Sequence, residues 1–211
     1  MLIRKRMPAA FAVAVGLLAC GPTAASATTT LRTDPGGILL SGSTTVRNTS
    51  SGPATITFAT GNLVCTQTAI DADVTSNSSA TSITGTLTAL TFSSCNDSIL
   101  HTTYSSCSLH PAGVPTVTIT AGATGGSVTF GHLTVRCAMG SLGCYFTLAS
   151  SAGTMNNAAS SIAFSNVDVS QVTPTSDAIT VPGCAGTGTL SLTLNHIVQG
   201  GTNKTLTVTT S

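Results

Sequence analysis

Cysteine is the residue type whose chemistry in this chain is easiest to anticipate from spacing. Cys20 lies near the start, and six further cysteines follow: Cys65, Cys95, Cys107, Cys137, Cys144 and Cys184. An even number of cysteines in an exported chain predicts three disulfide bonds, for which about fifteen connectivities are possible. The short separations favour Cys95–Cys107 and Cys137–Cys144 as local pairs, which leaves Cys65–Cys184 by elimination.

A zinc site is the alternative use of some of these sulfurs. Cys95, His101, Cys107 and His110 form the pattern C-x5-H-x5-C-x2-H, which has the ligand types that zinc binds. The spacing matches no compact zinc module, and an oxidising compartment favours disulfides over thiolates. We therefore expect no metal and no other cofactor.

Paired carboxylates are scarce, because the acidic residues are six aspartates and no glutamate. The one close pair begins DADVTSN at Asp71 and resembles the start of a calcium loop, with oxygen ligands at alternate positions. Ser76 stands where such a loop needs Gly, and Ser82 stands where it needs the closing Glu. We predict a polar turn after a strand at Leu63–Ala69, with a looser calcium site through Asp71 and Asp73 as the alternative.

No catalytic residues can be assigned from the sequence. The G-x-S-x-G nucleophile motif is absent, and GSLG at Gly140 has the wrong spacing. His132 and His196 fall on apolar strand faces, where a core or edge histidine is commoner than a catalytic base. We expect no enzyme activity, and a hydrolase with an unidentified site is the alternative.

The start of the chain predicts export. Arg4, Lys5 and Arg6 precede the short apolar run FAVAVGLLAC, and Ala25-Ser-Ala27 is a sequence that signal peptidase accepts. The apolar run is too short to cross a bilayer, and no later run is longer. Residues 1–27 are therefore predicted to be a secretory signal peptide, so that the mature chain is extracellular and has no transmembrane segment.

A lipid anchor is the alternative to simple secretion. The sequence LLACG around Cys20 resembles a lipoprotein signal, in which the cysteine becomes the lipidated first residue. Leu18 fits that pattern poorly, and the Ala-Ser-Ala site downstream competes with it.

Composition excludes several classes of protein. The chain holds 40 Thr and 26 Ser, only 6% of its residues are charged, and it has two Tyr and no Trp. After removal of residues 1–27, four basic residues (Arg32, Arg47, Arg136 and Lys204) face six Asp, a net charge of −2. This balance argues against binding of nucleic acid or anionic lipid, and the apolar content argues against disorder.

The pattern along the mature chain is that of an all-β protein. Short runs of Thr, Val, Ile and Leu alternate with Gly, Ser, Asn and Pro. The ten predicted strands are Ile38–Arg47, Ala54–Thr60, Leu63–Ala69, Ile83–Ser93, Thr116–Ala121, Val128–Arg136, Tyr145–Ala149, Ile162–Val169, Leu190–Val198 and Thr205–Thr209. Residues 28–37 are predicted to be a loose lead-in. The segment from Cys95 to Pro115 is predicted to be the longest connection and the first place to look for function.

These strands predict one domain, 28–211, folded as a disulfide-bonded antiparallel β-sandwich of Ig-like or jelly-roll-like type. Leu190, Leu192, Leu194, His196 and Val198 are expected to share one face of the clearest strand. The alternation slips between Leu87 and Leu90 and between Phe130 and Leu133, which predicts a bulge or a change of sheet at each place. Two tyrosines cannot form the aromatic girdles of an outer-membrane barrel, so that class is excluded.

Two stretches carry a resemblance to known proteins. Leu63-Val-Cys65 with Gly85-Thr-Leu-Thr-Ala-Leu-Thr-Phe-Ser-Ser-Cys95, and Val135-Arg-Cys137 with Gly143-Cys144-Tyr145, resemble a group of secreted, Thr/Ser/Gly-rich bacterial β-proteins. The resemblance implies a disulfide-bonded β-sandwich and no particular activity. The segment Val135–Phe146 also resembles the disulfide-closed hairpin of the enediyne-chromophore carrier proteins, which implies binding of a small apolar ligand.

The sequence therefore predicts an exported or cell-surface protein, without enzyme activity, that acts by binding or as a cell-envelope component. A secreted carrier of a small apolar ligand is the alternative. The identity of the partner does not follow from the sequence.

Mass spectrometry of the protein purified from a culture of its own host tests these predictions. The expected mass is that of a chain beginning at Thr28 and lacking six hydrogens, because three disulfides have formed. A diacylated chain beginning at Cys20 would contradict simple secretion and support the lipid anchor.

Overall fold

The computed structural model describes residues 27–34, 37–76, 80–98, 102–110, 114–139, 142–172, 184 and 186–210. Residues 1–26 of the predicted signal peptide, which include Cys20, lie outside these ranges, and so does His101. The described residues form β-strands and connections, and they include no helix able to cross a bilayer.

The described residues form fifteen strands. In chain order they are β1 (Thr29–Asp34), β2 (Ile38–Leu39), β3 (Gly42–Ser51), β4 (Ala54–Phe58), β5 (Gly61–Ser76), β6 (Ile83–Asp97), β7 (Thr102–Leu109), β8 (Thr116–Ala121), β9 (Gly125–Phe130), β10 (Leu133–Met139), β11 (Leu142–Leu148), β12 (Ser151–Asn156), β13 (Ser161–Val172), β14 (Thr187–Gln199) and β15 (Thr205–Thr210).

Twelve of these strands close into an antiparallel barrel with eight positions around its circumference. The long strands β5, β6, β13 and β14 fill one position each. Each of the other four positions is shared by two consecutive strands, namely β3 with β4, β7 with β8, β9 with β10, and β11 with β12. Neighbours in the chain are neighbours in the barrel, and pairing of β14 with β3 and β4 closes the ring.

The predicted β-sandwich is therefore wrong, whereas the prediction of an all-β, disulfide-bonded protein is confirmed. A sandwich and a barrel both need strands with one apolar and one polar face, so alternation within strands does not distinguish them. What decides the fold is the pairing of β14 with β3, more than 140 residues apart in the chain.

The inside of the barrel is filled with apolar side chains. Leu63, Ile83, Leu87 and Leu194 are all at most 1% exposed. Aromatic rings cross the interior, since Phe58 lies 5.7 Å from Phe146 and Phe130 stacks 5.0 Å from Phe164 between ring centroids. The outward positions carry mostly Thr and Ser, which accounts for the composition of the chain.

The two predicted slips in alternation have different structural causes. Between β5 and β6 the register shifts by one residue, because Asp71 pairs with Ala89 whereas Ala72 pairs with Leu87. This confirms a bulge, which allows both Leu87 and Leu90 to point inward. After Phe130 the strand instead breaks, and β9 and β10 pair with different neighbours.

The strands β1, β15 and β2 lie outside the ring, and β1 and β15 pair along their whole length. Their ribbon covers the end of the barrel formed by the β5–β6, β8–β9 and β12–β13 connections. The contacts are Thr29 with Ala80, Ala121 with Thr29, and Asn157 with Val208. Leu31, Leu206 and Val208 are at most 1% exposed and belong to the main apolar core.

Several strands were not predicted, because their sequences contain few large apolar residues. The predicted lead-in contains β1, and the predicted long connection from Cys95 to Pro115 contains β7. Strand β12 (SAGTMN) was missed because its inward positions include Ser and Gly. Phe164 explains Gly153, because a Cβ atom there would meet the Phe164 ring at 2.8 Å.

The close approach of β5 and β6 at Gly85 yields a prediction for stability. A Cβ at Gly85 would collide with the backbone of Asp73 and Val74. We expect Gly85→Ala to lower the free energy of unfolding by about 1–3 kcal/mol, because the two strands must move apart. Urea denaturation measures the change. The exposed neighbour Thr84→Ala is the control, and equal losses in the two variants would contradict the packing argument.

Candidate functional site

The six cysteines form three disulfide bonds, as predicted, but the pairs differ from those that spacing favours. The bonds are Cys65–Cys95, Cys107–Cys137 and Cys144–Cys184. Cys65 is directly opposite Cys95 across β5 and β6, and Cys107 is directly opposite Cys137 across β7 and β10. Short separation in the chain was a poor guide, because the register places Cys95 opposite Tyr104 and not opposite Cys107.

The residues of the zinc hypothesis are not available together as ligands. Cys95 and Cys107 are buried and disulfide-bonded, although their sulfurs lie only 3.8 Å apart. His110 instead packs edge-on against the ring of Tyr145, at 5.4 Å between centroids. His101 lies outside the described residues.

Asp71 and Asp73 lie within β5, so the polar turn predicted there is wrong. The Arg47 guanidinium is 3.3 Å from Asp71, and Thr45 donates a hydrogen bond of 2.6 Å to Asp73. The ion pair is more than 40% exposed on both sides, so it contributes at most about 1 kcal/mol.

Two predicted histidine positions are also wrong. His132 is exposed in the break between β9 and β10, and His196 is exposed at a residue with a φ of 50°. This backbone turn brings Ile197, not His196, into the core. Arg47–Asp71 is the one ion pair between residues that the structure describes. Within that part of the chain, His110, His132 and His196 therefore form no ion pair with an aspartate.

The interior of the barrel offers little room for a ligand. Three apolar cavities between core side chains measure about 10, 20 and 20 Å³. Each has space for about one water molecule, whereas ligand pockets usually measure about 300–1,000 Å³.

A larger space, about 530 Å³, lies in the wall of the barrel. We call it the polar cleft. Its lining residues come from β3, β5 and β6 and are all uncharged and non-aromatic: Asn48, Thr49, Ser51, Thr66, Gln67, Thr68, Ala69, Thr91 and Ser93.

The polar cleft exists because β3 separates from β5 before β4 takes its place. The β3–β5 pairing ends at Arg47–Asp71, and the β4–β5 pairing begins at Ala54–Cys65. Gly52 and Pro53 lie at the corner between β3 and β4, and proline cannot donate a ladder hydrogen bond. The backbone of β5 between these two pairings therefore has no strand beside it on this side.

Side chains replace the missing strand along this part of β5. Asn48 Oδ1 accepts a hydrogen bond from Ile70 N, and Asn48 Nδ2 donates one to Thr68 O, each 2.7 Å long. Ser51 Oγ accepts a hydrogen bond of 2.7 Å from Thr68 N. The gap is thus held open by two side chains that satisfy backbone groups which would otherwise be unpaired.

One hydroxyl at the polar cleft has no such partner. Thr68 is 4% exposed, and its Oγ1 forms no hydrogen bond within the described structure. Most buried polar groups do have a partner, so this hydroxyl is an unsatisfied group buried behind the wall of the cleft and not one that a ligand in the cleft contacts. Nearby, Ser93 donates a hydrogen bond of 3.2 Å to the Gln67 amide oxygen.

Comparison of this chain with protein-family models, with curated proteins and with solved structures finds no match. The site must therefore be interpreted from its own residues.

The sequence contained only a partial signal for the polar cleft. Gly52-Pro53 marked the break between two strands, but the cleft-lining residues Asn48, Ser51 and Thr68 look like ordinary Thr/Ser-rich strand residues. Their grouping depends on the register of β3 against β5, which the sequence does not reveal.

Asn48→Ala tests the account of how the cleft is held open. The variant leaves Ile70 N and Thr68 O without partners, so we expect the free energy of unfolding to fall by about 2–4 kcal/mol. Thermal or urea unfolding measures the loss. Thr49→Ala removes an exposed side chain next to it and should cost less than about 0.5 kcal/mol, and a similar cost for both variants would contradict the bridging role.

Proposed function

We propose that this chain is an exported protein that acts by binding a neutral, hydroxyl-rich ligand, such as a glycan, in the polar cleft. The observation that carries the proposal is the cleft itself, a space of about 530 Å³ lined by amides and hydroxyls and by no charged residue. The size falls within the range of ligand pockets.

The chemistry of the lining selects for a neutral polar ligand. Threonine and serine hydroxyls both donate and accept hydrogen bonds, and the Gln67 amide does the same with two separate groups. Sugar hydroxyls have this same dual character and need no counter-ion. An anionic ligand would find no cation in the lining, and an apolar ligand would leave the lining groups unpaired.

Export is supported by two independent features. Three disulfide bonds are compatible with an extracellular protein. The sequence of residues 1–27 has the three parts of a signal peptide. Whether the mature chain is free or anchored at Cys20, a cleft for neutral glycans would suit a protein that acts at or outside the cell envelope.

The alternative, a carrier of small apolar ligands, has less support. It needs an apolar pocket of several hundred Å³, whereas three apolar cavities between described core residues measure about 10, 20 and 20 Å³.

A matched pair of filling mutations tests the proposal. Ala69 is exposed and lines the polar cleft, and Ala152 is an exposed alanine on β12 that does not line it. We expect Ala69→Phe to weaken binding of neutral oligosaccharides at least tenfold, because the ring occupies the cleft, and Ala152→Phe to leave binding unchanged. Calorimetry with cello-, malto- and chito-oligosaccharides measures the affinities.

The outcomes separate the alternatives. No binding of any neutral oligosaccharide by the unmodified chain would contradict the proposal. Binding that both variants retain would place the ligand elsewhere on the protein. Binding of fatty acids or other apolar probes, but not of sugars, would support the carrier instead.

A further inference from the structure

Five of the six disulfide-bonded cysteines lie in a row on five neighbouring barrel positions, one on each. They are Cys65 on β5, Cys95 on β6, Cys107 on β7, Cys137 on β10 and Cys144 on β11; the register aligns all of these neighbours except Cys95 and Cys107, whose sulfurs nevertheless lie 3.8 Å apart. Cys184 continues the row through its bond to Cys144. Three disulfides therefore stand end to end instead of being scattered through the core.

Neighbouring disulfides adjoin one another along the row. Cys107 Sγ is 3.8 Å from Cys95 Sγ, which belongs to a different disulfide. Cys137 and Cys144, again from different disulfides, are directly opposite each other in the register of β10 and β11. A thiolate at Cys107 thus has the Cys65–Cys95 disulfide beside it, and Cys144 lies opposite the Cys107–Cys137 disulfide in the register.

Exposure differs sharply along the row. Cys184 is half-buried and lies outside the strands, whereas the other five cysteines are at most 4% exposed. A reductant in solution can therefore reach the row at Cys184 and not at the inner disulfides.

We infer that this row is a redox-active thiol–disulfide exchange site, which takes electrons from a dithiol at Cys184 and delivers a free thiol to Cys65. Before the exchange the chain has its three native disulfides. After the exchange it has two different ones, Cys95–Cys107 and Cys137–Cys144. The inference does not rest on the proposed glycan binding.

The exchange balances at each step. One sulfur of the dithiol attacks Cys184 and expels Cys144 as a thiolate, and the second sulfur of the dithiol then closes its own disulfide and releases Cys184 as a thiol. The Cys144 thiolate attacks Cys137, forms that bond and expels Cys107. The Cys107 thiolate attacks Cys95 and expels Cys65, which takes up a proton. In total the dithiol loses two electrons and two protons, and the chain gains two thiols at Cys65 and Cys184.

Tyr104 is the polar side chain beside Cys144. Tyr104 is 1% exposed, and its hydroxyl oxygen lies 3.5 Å from Cys144 Sγ. The same hydroxyl donates a hydrogen bond of 3.1 Å to Asp97 Oδ2, which fixes its position. The Tyr104 proton is therefore directed to Asp97, and Cys144 Sγ faces the hydroxyl oxygen.

The Cys184→Ser variant tests the exchange without any reductant. It leaves one unpaired cysteine, which begins at Cys144. We expect alkylation of the acid-quenched, denatured chain to label mainly Cys65 or Cys107, because the free thiol moves along the row. Peptide mapping by mass spectrometry locates the label, and a label confined to Cys144 would overturn the inference.

Cys144→Ser is the matched control, because it removes the same disulfide but frees the cysteine at the outer end of the row. Its label should stay on Cys184, and a label on Cys65 in this variant would show general scrambling and overturn the inference.

The unmodified chain provides a second test that does not depend on either variant folding. With a limiting amount of dithiothreitol, we expect labels on Cys65 and Cys184 and linked peptides for Cys95–Cys107 and Cys137–Cys144. Labels on Cys144 and Cys184 with both inner native bonds intact would overturn the inference, and so would the absence of any label.

Discussion

Closure of the sheet on itself is the constraint on which the rest of this structure depends. Once β14 pairs with β3, the inward side chains of eight barrel positions share one enclosed volume, and that volume must be filled without overlap. Large residues at some positions therefore require small ones opposite, as Phe164 requires Gly153. The same closure joins the strand edges, so unpaired backbone remains mainly where a strand breaks. The filled interior, the polar wall and the row of cysteines are all features of this closed barrel.

The breaks give the barrel its local chemistry. Four of its eight positions are each shared by two consecutive strands. At the junction of β3 and β4, the corner opens a gap wide enough for a ligand, and Asn48 and Ser51 satisfy the backbone that the gap exposes. The break between β3 and β4 thus creates a polar surface in the barrel wall.

The sequence predicted which residues of a strand face inward, but it did not predict which strands pair or in what register. The alternation of Leu190, Leu192 and Leu194 and the slip at Leu87 were read correctly, because both depend on local side-chain parity. The local pairing of Cys95 with Cys107 was wrong, because which cysteines face each other depends on register. His196 was misplaced by one backbone turn with a positive φ, which the residue type did not indicate. The polar cleft and the barrel itself arise from pairings far apart in the chain, where spacing along the sequence carries no information.

The ribbon over one end of the barrel sets an order for folding. Thr29 pairs with Thr210, and every pairing between β1 and β15 joins residues from opposite ends of the chain. During synthesis β1 emerges before β15, so only β2 can pair with it until the last strand is present. Leu31, which is 1% exposed, belongs to the part of the core that this pairing completes. The barrel wall can assemble progressively from neighbouring strands, but its covered end is completed only when the whole chain has been delivered.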